Sequence, residues 1–295
     1  MSTAVRKAVV PVAGLGTRLF PATHAVKKEL FPVVGPDGIA RAMLHYHLLE
    51  LIAADIEEVC VIVQPGDEEP IRAYFHGPDH AYLRRLEKYP ALLAEAINMR
   101  ELGKRIHFAV QHEQEGYGHA VYQSKKFAAG EPVLLCLGDH LFRGKDASPC
   151  RELIERATSD RSVSAVNRIT PEELRGYGTI AGARTASDNR LIDVSLIIEK
   201  PDIQTARESL HVDGLPDDVF LGWFGMHVLA PSIYDILEEM IRDDVRDGGE
   251  FQLTRAQEIQ RQRHGYLALE MTDARRFDFG IPDDFVASLQ TFRQP

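Results

Sequence analysis

Four short apolar runs constrain this chain more than any other feature. They are "KAVVPVA" (Lys7–Ala13), "EVCVIVQ" (Glu58–Gln64), "IHFAVQ" (Ile106–Gln111) and "PVLLCLGD" (Pro132–Asp139). Each is too short for a helix and is bounded by polar or turn residues, so each reads as a strand. Between the first two lies "RAMLHYHLLELIAADI" (Arg41–Ile56), with apolar residues at helical spacing. Strand, helix, strand in that order predicts a parallel βαβ unit. Nearly continuous apolar strands, rather than alternating ones, predict a doubly wound sheet covered on both faces. Helices are expected over Tyr82–Leu102, interrupted at Pro90, and over Gly118–Ala128. A helix at Arg151–Asp160 and a strand at Ser162–Ile169 follow, and then the texture changes. Tyr177–Pro201 holds short strands separated by Gly, Ser, Asp and Asn, the pattern of antiparallel hairpins attached to the first sheet. A strand in "FLGWFGMHVLAP", helices in "SIYDILEEMI" and "FQLTRAQEIQRQRH", a strand in "GYLALEMT" and a last helix in "DDFVASLQTF" complete the chain. With no repeat and no long linker, 1–295 reads as one α/β domain with a mixed, mostly parallel sheet. Its two halves, about 1–145 and 146–295, share one cleft.

The bulk properties narrow the chemistry. The 295 residues carry a net charge of −10, without the basic footprint that nucleic-acid binding needs. A local basic pocket for a small anion remains compatible with that balance. Cys60, Cys136 and Cys150 are widely spaced and form no metal-binding pattern, so they read as free thiols in a reducing compartment. The first residues lack a secretory signal, and no apolar stretch reaches membrane-span length. A soluble cytoplasmic protein, bound to neither membrane nor nucleic acid, is the expectation.

The first strand runs into Gly14-Leu15-Gly16-Thr17-Arg18. A P-loop would need Lys-Ser or Lys-Thr after its last glycine, and a dinucleotide fingerprint would need a third glycine where Leu19 stands. What remains is a glycine turn whose N–H groups can approach an anion closely. Arg18 can clamp a phosphate with two parallel hydrogen bonds, and Lys28 adds a second charge from the following loop.

The compound motif "VPVAGLGTRLFPAT…KKELFPVV" resembles the signature of bacterial nucleoside-diphosphate-sugar pyrophosphorylases, and within them the UTP–glucose-1-phosphate uridylyltransferases. The resemblance extends over about Lys7 to Phe285. It implies a Rossmann-like fold with an antiparallel sugar-binding extension, and transfer of a uridylyl group from UTP to glucose 1-phosphate. It makes the first half nucleotide-binding and the second sugar-phosphate-binding, and implies a homodimer or tetramer. Ala13, Gly14, Leu15, Gly16 and Thr17 would then wrap the triphosphate, with Arg18 and Lys28 neutralising it. Gln111 and Gly116, in "VQHEQEGYGHAV", match the base-reading segment; a Gln amide has both the donor and the acceptor that uracil's edge requires. Asp139 and Asp278, the latter in "RFDFG", resemble the paired Mg²⁺ ligands, hard oxygen donors for a hard cation. Lys200 and Glu199 in "IIEKPD" match the residues that hold the sugar phosphate and the sugar hydroxyls. Gly178 in "GYGTI" and Glu250 in "GGEFQLT" match further sugar-side positions. His119 and His140 read as supporting groups, and Trp223 as a strand-packing residue that could border the sugar pocket.

The chain departs from that pattern twice. Gly249 stands where an acidic residue is expected, and "FDFGIPDDF" has no Lys after the second Asp. Two alternatives stay open: a sister enzyme using another nucleotide or hexose 1-phosphate, and a nucleotide-sugar-binding regulator without turnover. The presence of Arg18, Lys28, Asp139, Lys200 and Asp278 together argues against the second.

Overall fold

The computed structural model describes residues 5–158 and 160–294. Among them are thirteen strands: β1 (Lys7–Pro11), β2 (Pro32–Val34), β3 (Ala40–Ala42), β4 (Glu58–Val63), β5 (Ile106–Val110), β6 (Val133–Cys136), β7 (His140–Gly144), β8 (Ser162–Ile169), β9 (Gly178–Arg184), β10 (Leu191–Glu199), β11 (Phe220–Leu229), β12 (Tyr266–Glu270) and β13 (Ala274–Asp278). Nine of them form one sheet in the order β5-β4-β1-β6-β11-β8-β12-β10-β9. The first four are mutually parallel, as the βαβ reading requires. Only β11 and β10 run against the rest. The sheet is therefore mostly parallel in strand direction.

Alternation along the parallel strands explains why they had to be apolar throughout. Ala8, Val10, Val59, Val61, Val63, Leu134 and Cys136 enter one core with Leu44, Leu48 and Leu51 of the helix Met43–Ala53. Val9, Cys60, Ile62, Val133 and Leu135 enter a second core, across the sheet, with the helices Ser232–Arg242 and Leu253–His264. Burying both faces of a strand at about 25 cal/mol per Å² of apolar surface makes this the main source of stability.

The antiparallel extension is continuous with the sheet rather than a separate unit. β9 pairs with β10 and also with β11, so β11, β8, β12, β10 and β9 close into a ring around a third core that includes Trp223 and Tyr266. Two small ribbons stand outside the sheet: β2 with β3, and β7 with β13. The second brings residues from positions 140 and 278 into register.

Several local expectations change. The strand at Pro132–Asp139 ends at Cys136; Leu137 still bonds the Gly225 carbonyl of β11, and the His140 N–H then closes a turn on the Leu137 carbonyl at 3.2 Å. The Gly118–Ala128 helix is two short helices, Tyr117–Tyr122 and Lys125–Ala128. They part at Ser124, whose hydroxyl bonds the Val121 carbonyl and the Tyr234 hydroxyl. The expected helix at 151–160 is instead Pro149–Ile154, with Pro149 in the first turn and Ser148 capping it. Pro90 does interrupt the helical stretch as expected: one helix, His80–Leu86, ends before it and a second, Pro90–Gly103, starts at it. The three cysteines are free and buried. Among the described residues, no helix is long and apolar enough to cross a membrane.

Candidate active site

The parallel strands end along one edge of the sheet, the edge at which open α/β sheets bind ligands. β1 leads into the glycine loop, β5 into Gln111 and β6 toward Asp139. Together they line a cleft of about 340 Å³ that also contains Ala13, Lys28, Gly116 and Glu250.

The loop is shaped by its second glycine. Gly16 has φ +65°, and a Cβ there would lie 2.9 Å from the Thr23 methyl. Thr23 fixes the turn by donating to the Gly16 carbonyl at 2.9 Å. A Cβ on Gly14 would meet nothing, so that glycine leaves its peptide open to the cleft. Arg18 is exposed and, among the described residues, has no carboxylate within ion-pair distance. The lysine that touches the loop is Lys27, which donates to the Gly14 carbonyl at 3.2 Å and pairs with Asp67 at 2.7 Å. Lys28 lies deeper and pairs with Asp139 at 2.7 Å. Sequence reading set Lys28 over the triphosphate in general; its place is at the carboxylate end of the cleft.

On the opposite wall, the Gln111 backbone N–H extends the β4–β5 ladder to the Val63 carbonyl at 2.8 Å. Its side-chain amide donates to the Gly116 carbonyl at 3.2 Å. With the nitrogen engaged, the amide oxygen is the atom left to accept from a ligand. Gly116 has φ +114°, and a Cβ there would lie 2.8 Å from the Glu250 Cβ. The 115–118 backbone is stitched to Phe251 by hydrogen bonds in both directions, each 2.8 Å. Glu250 therefore lines this wall of the cleft beside Gly116. From the same segment it is Thr254 that reaches the other side, donating to Glu199 Oε2 at 2.6 Å.

Asp139 and Asp278 come together over Gly280. A Cβ on Gly280 would sit 2.6 Å from Asp139 Oδ2 and 3.1 Å from Asp278 Oδ1, so only glycine leaves both carboxylates their place. The ribbon register sets His140 opposite Asp278, and its Nε2 lies 3.1 Å from Asp278 Oδ2. Burial alone would raise the Asp139 carboxyl, but His140 and Lys28 outweigh it and hold the group well below the ordinary carboxylate range. Asp278 is likewise held down, against its own burial, by the hydrogen bond with His140. Two ionised carboxylates converging on one point fit a hard divalent cation. Among the described residues no cluster of three or more potential ligands forms, so water and a bound phosphate would complete the shell.

Outside the lining of that cleft, Gly178, Glu199, Trp223 and Lys200 gather where the ends of β9 and β10 pair beside β11. A Cβ on Gly178 would be 2.6 Å from the Trp223 indole nitrogen and 2.9 Å from Glu199 Oε2. Trp223 thus packs both the ring core and the Gly178 backbone, and its buried indole N–H has no partner among the described residues. Lys200 is exposed with φ +45°, a left-handed conformation that costs a non-glycine residue about 1–3 kcal/mol and is concentrated at functional sites.

Sequence reading overlooked Glu29, Tyr117, Tyr177 and Arg276. Glu29 lines the cleft wholly buried, with one unpartnered carboxylate oxygen; burial raises its pKa to about 7. Tyr117 lines the cleft with a buried, unpartnered hydroxyl. Arg276 shares a strand face with Asp278, but "RRFD" carries no strand pattern, so nothing in the sequence pointed to it.

The sequence profile of the nucleotidyl transferase family matches residues 7–290. The chain is 30% identical to the UTP–glucose-1-phosphate uridylyltransferase of Bacillus subtilis (strain 168), covering 98% of this chain and 91% of that protein. It is 29% identical to UTP–glucose-1-phosphate uridylyltransferase 1 of Staphylococcus saprophyticus, over 98% and 92%. Among solved structures, a UTP-bound UGPase from Acinetobacter baumannii superimposes with a TM-score of 0.79 at 26% identity, over 98% of this chain and 93% of that one. A UDP-glucose pyrophosphorylase complexed with UDP-glucose shares the fold, with a TM-score of 0.78 at 22% identity and 98% coverage of both chains.

Proposed function

The chain belongs to the nucleotidyl transferase family, and from that premise we propose that it transfers a uridylyl group from UTP to glucose 1-phosphate, giving UDP-glucose and pyrophosphate. The observation that carries the reading is one cleft in which the glycine loop, Gln111 and Asp139 meet, with Asp278 beside Asp139 at Gly280.

A phosphate oxygen of the sugar phosphate attacks the α-phosphorus of UTP in line. The new P–O bond forms as the bond to the β-phosphate oxygen breaks, and the electron pair leaves with pyrophosphate. The nucleophile is already an anion, so no side chain has to remove a proton. The work is positioning and charge neutralisation. The loop N–H groups and Arg18 hold the β- and γ-phosphates. Lys28, beside Asp139, faces the α-phosphate. The Gln111 amide oxygen accepts from uracil N3–H, a donor that cytosine lacks. Gly178 admits the sugar, Glu199 accepts from its hydroxyls, and Lys200 draws in its phosphate. Mg²⁺ bound by Asp139 and Asp278 would neutralise charge on the α-phosphate and the incoming phosphate. The cytoplasm, where both substrates are made, is the proposed location, and the working form is proposed to be a homodimer or tetramer.

The test is pyrophosphate release from a panel of nucleoside triphosphates against a panel of hexose 1-phosphates. UTP with glucose 1-phosphate should be the preferred pair. Preference for another triphosphate would favour the sister-enzyme reading, and no turnover with any pair would favour the regulator. The acid missing at Gly249 makes the sugar site less strict in this reading, so galactose 1-phosphate should react at a measurable fraction of the glucose rate. Exclusive UDP-glucose formation in an equal-concentration competition would remove that corollary and leave the main assignment standing.

A further inference from the structure

Arg276 is a cation without an acidic partner, built into the junction between two parts of the site. In β13, residues two apart point to the same side of the ribbon, so Arg276 and Asp278 share a face, about 7 Å apart along the strand. The register pairs Asp278 with His140 and Arg276 with Phe142. From there the Arg276 guanidinium donates through Nη1 to the Trp223 carbonyl at 3.3 Å and through Nη2 to the Tyr177 hydroxyl. It lies 4.5 Å from the Tyr177 ring centre and 5.8 Å from that of Phe224. Tyr177 immediately precedes Gly178, and Trp223 is the residue against which Gly178 packs. The guanidinium thus spans from the carboxylate pair to the Gly178 cluster.

Like Arg143 and Arg275 of the same ribbon, and unlike several arginines in and beside the main sheet, Arg276 has no acidic partner among the described residues. Arg168 and Arg184 pair with Glu270, Arg190 with Glu152, and Arg161 with Asp193. Among the described residues no carboxylate lies within ion-pair distance of Arg276, although it is half-buried. A guanidinium has five donors, and the two protein acceptors leave the others available. Holding a charged group partly buried costs desolvation; the Tyr177 and Phe224 rings offset part of it, and a bound anion would offset the rest. Between a carboxylate pair suited to a cation and a Gly178 cluster suited to a sugar, that anion is the phosphate joining them.

We propose that Arg276 binds the phosphate of the hexose 1-phosphate, with Tyr177 as the positioning residue that aims it. This rests on the nucleotidyl-transfer reading above. It also answers the absence of a lysine after Gly280: the charge enters from two residues before Asp278 rather than from after it. Arg276 from β13 and Lys200 from the turn after β10 then flank the incoming phosphate, countering its repulsion by the triphosphate.

The experiment is steady-state kinetics of pyrophosphate release by wild type, Arg276→Gln, Arg276→Lys and Tyr177→Phe, varying each substrate in turn. Arg276→Gln should raise KM for glucose 1-phosphate tenfold or more while KM for UTP moves less than twofold. Arg276→Lys should recover part of that loss, and Tyr177→Phe should show a smaller rise confined to the same substrate. Titration calorimetry of glucose 1-phosphate into each protein, with UTP absent, should rank the variants in the same order. Should Arg276→Gln fail to fold, Arg276→Lys and Tyr177→Phe carry the same substrate-specific test. Equal KM values for glucose 1-phosphate in folded wild type and Arg276→Gln would overturn the proposal, as would equal losses for both substrates. An inactive wild type would instead overturn the nucleotidyl-transfer reading on which it rests.

Discussion

Replacing Glu29 by Gln should stabilise the protein at pH 8 much more than at pH 5. Glu29 is wholly buried in the cleft floor, and Lys28, 3.9 Å away, is its nearest ionic neighbour. Burial outweighs that attraction and raises the carboxyl from 4.5 to about 7. A carboxyl with a raised folded pKa binds more protons folded than unfolded between those two values. Stability therefore falls as pH rises from about 4.5 to 7 and is flat above. A shift of this size corresponds to about 3 kcal/mol of lost stability at pH 8, against less than about 1 kcal/mol at pH 5. The neutral amide does not titrate, so it escapes the loss. Any fixed packing cost of the amide is the same at both pH values and cancels in the difference. Urea unfolding of both proteins at pH 5, 6, 7 and 8 measures it. The gap between Gln and Glu should widen by about 2–3 kcal/mol between pH 5 and pH 8. A gap constant with pH would refute the reasoning, because it would mean that Glu29 does not titrate abnormally.

Asp139→Asn and Asp278→Asn should each lower turnover about a hundredfold, with the double variant losing far less than the product, as expected of two groups serving one charge; full activity after EDTA treatment would contradict this. Gln111→Ala should raise KM for UTP about tenfold and narrow the preference for UTP over CTP, measured as a ratio of kcat/KM values. Gly178→Ala puts a methyl 2.6 Å from Trp223, and should raise KM for glucose 1-phosphate at least tenfold while circular dichroism reports an unchanged fold.

The parallel half of the sheet was legible because its physics is local: strands buried on both faces must be apolar at every position, and the linking helices keep their own period. The strand Ser162–Ile169 and the last helix, opening at Pro282, were legible for the same reason. What escaped was decided by partners distant in sequence. β7 is three core residues followed by Arg and Gly, and β13 is "ARRFD"; neither carries a strand pattern, and each exists because it pairs with the other. Glu29 sits in a lysine-rich loop that reads as solvated, and becomes a buried acid only when β6 and the 111–117 segment close over it. The glycine loop, Gln111 and Asp139 could be found because each immediately follows a legible strand. That Lys28 would reach Asp139, and that Glu250 would face Gly116, depended on how loops from different strands meet.

The β7–β13 ribbon has a genetic corollary. The two carboxylates of the pair are far apart in the sequence, at positions 139 and 278. The last helix is fastened to the ribbon by Arg143, which donates to the Phe292 carbonyl at 2.7 Å and to the Gln294 carbonyl at 2.6 Å. A stop codon or frameshift after residue 270 would spare every strand of the main sheet, so the shortened product could still collapse around both large cores and accumulate. It would lack Asp278 and Arg276, and Asp139 would stand alone beside Lys28. Truncations just after residue 270 should therefore behave as null alleles that still make protein.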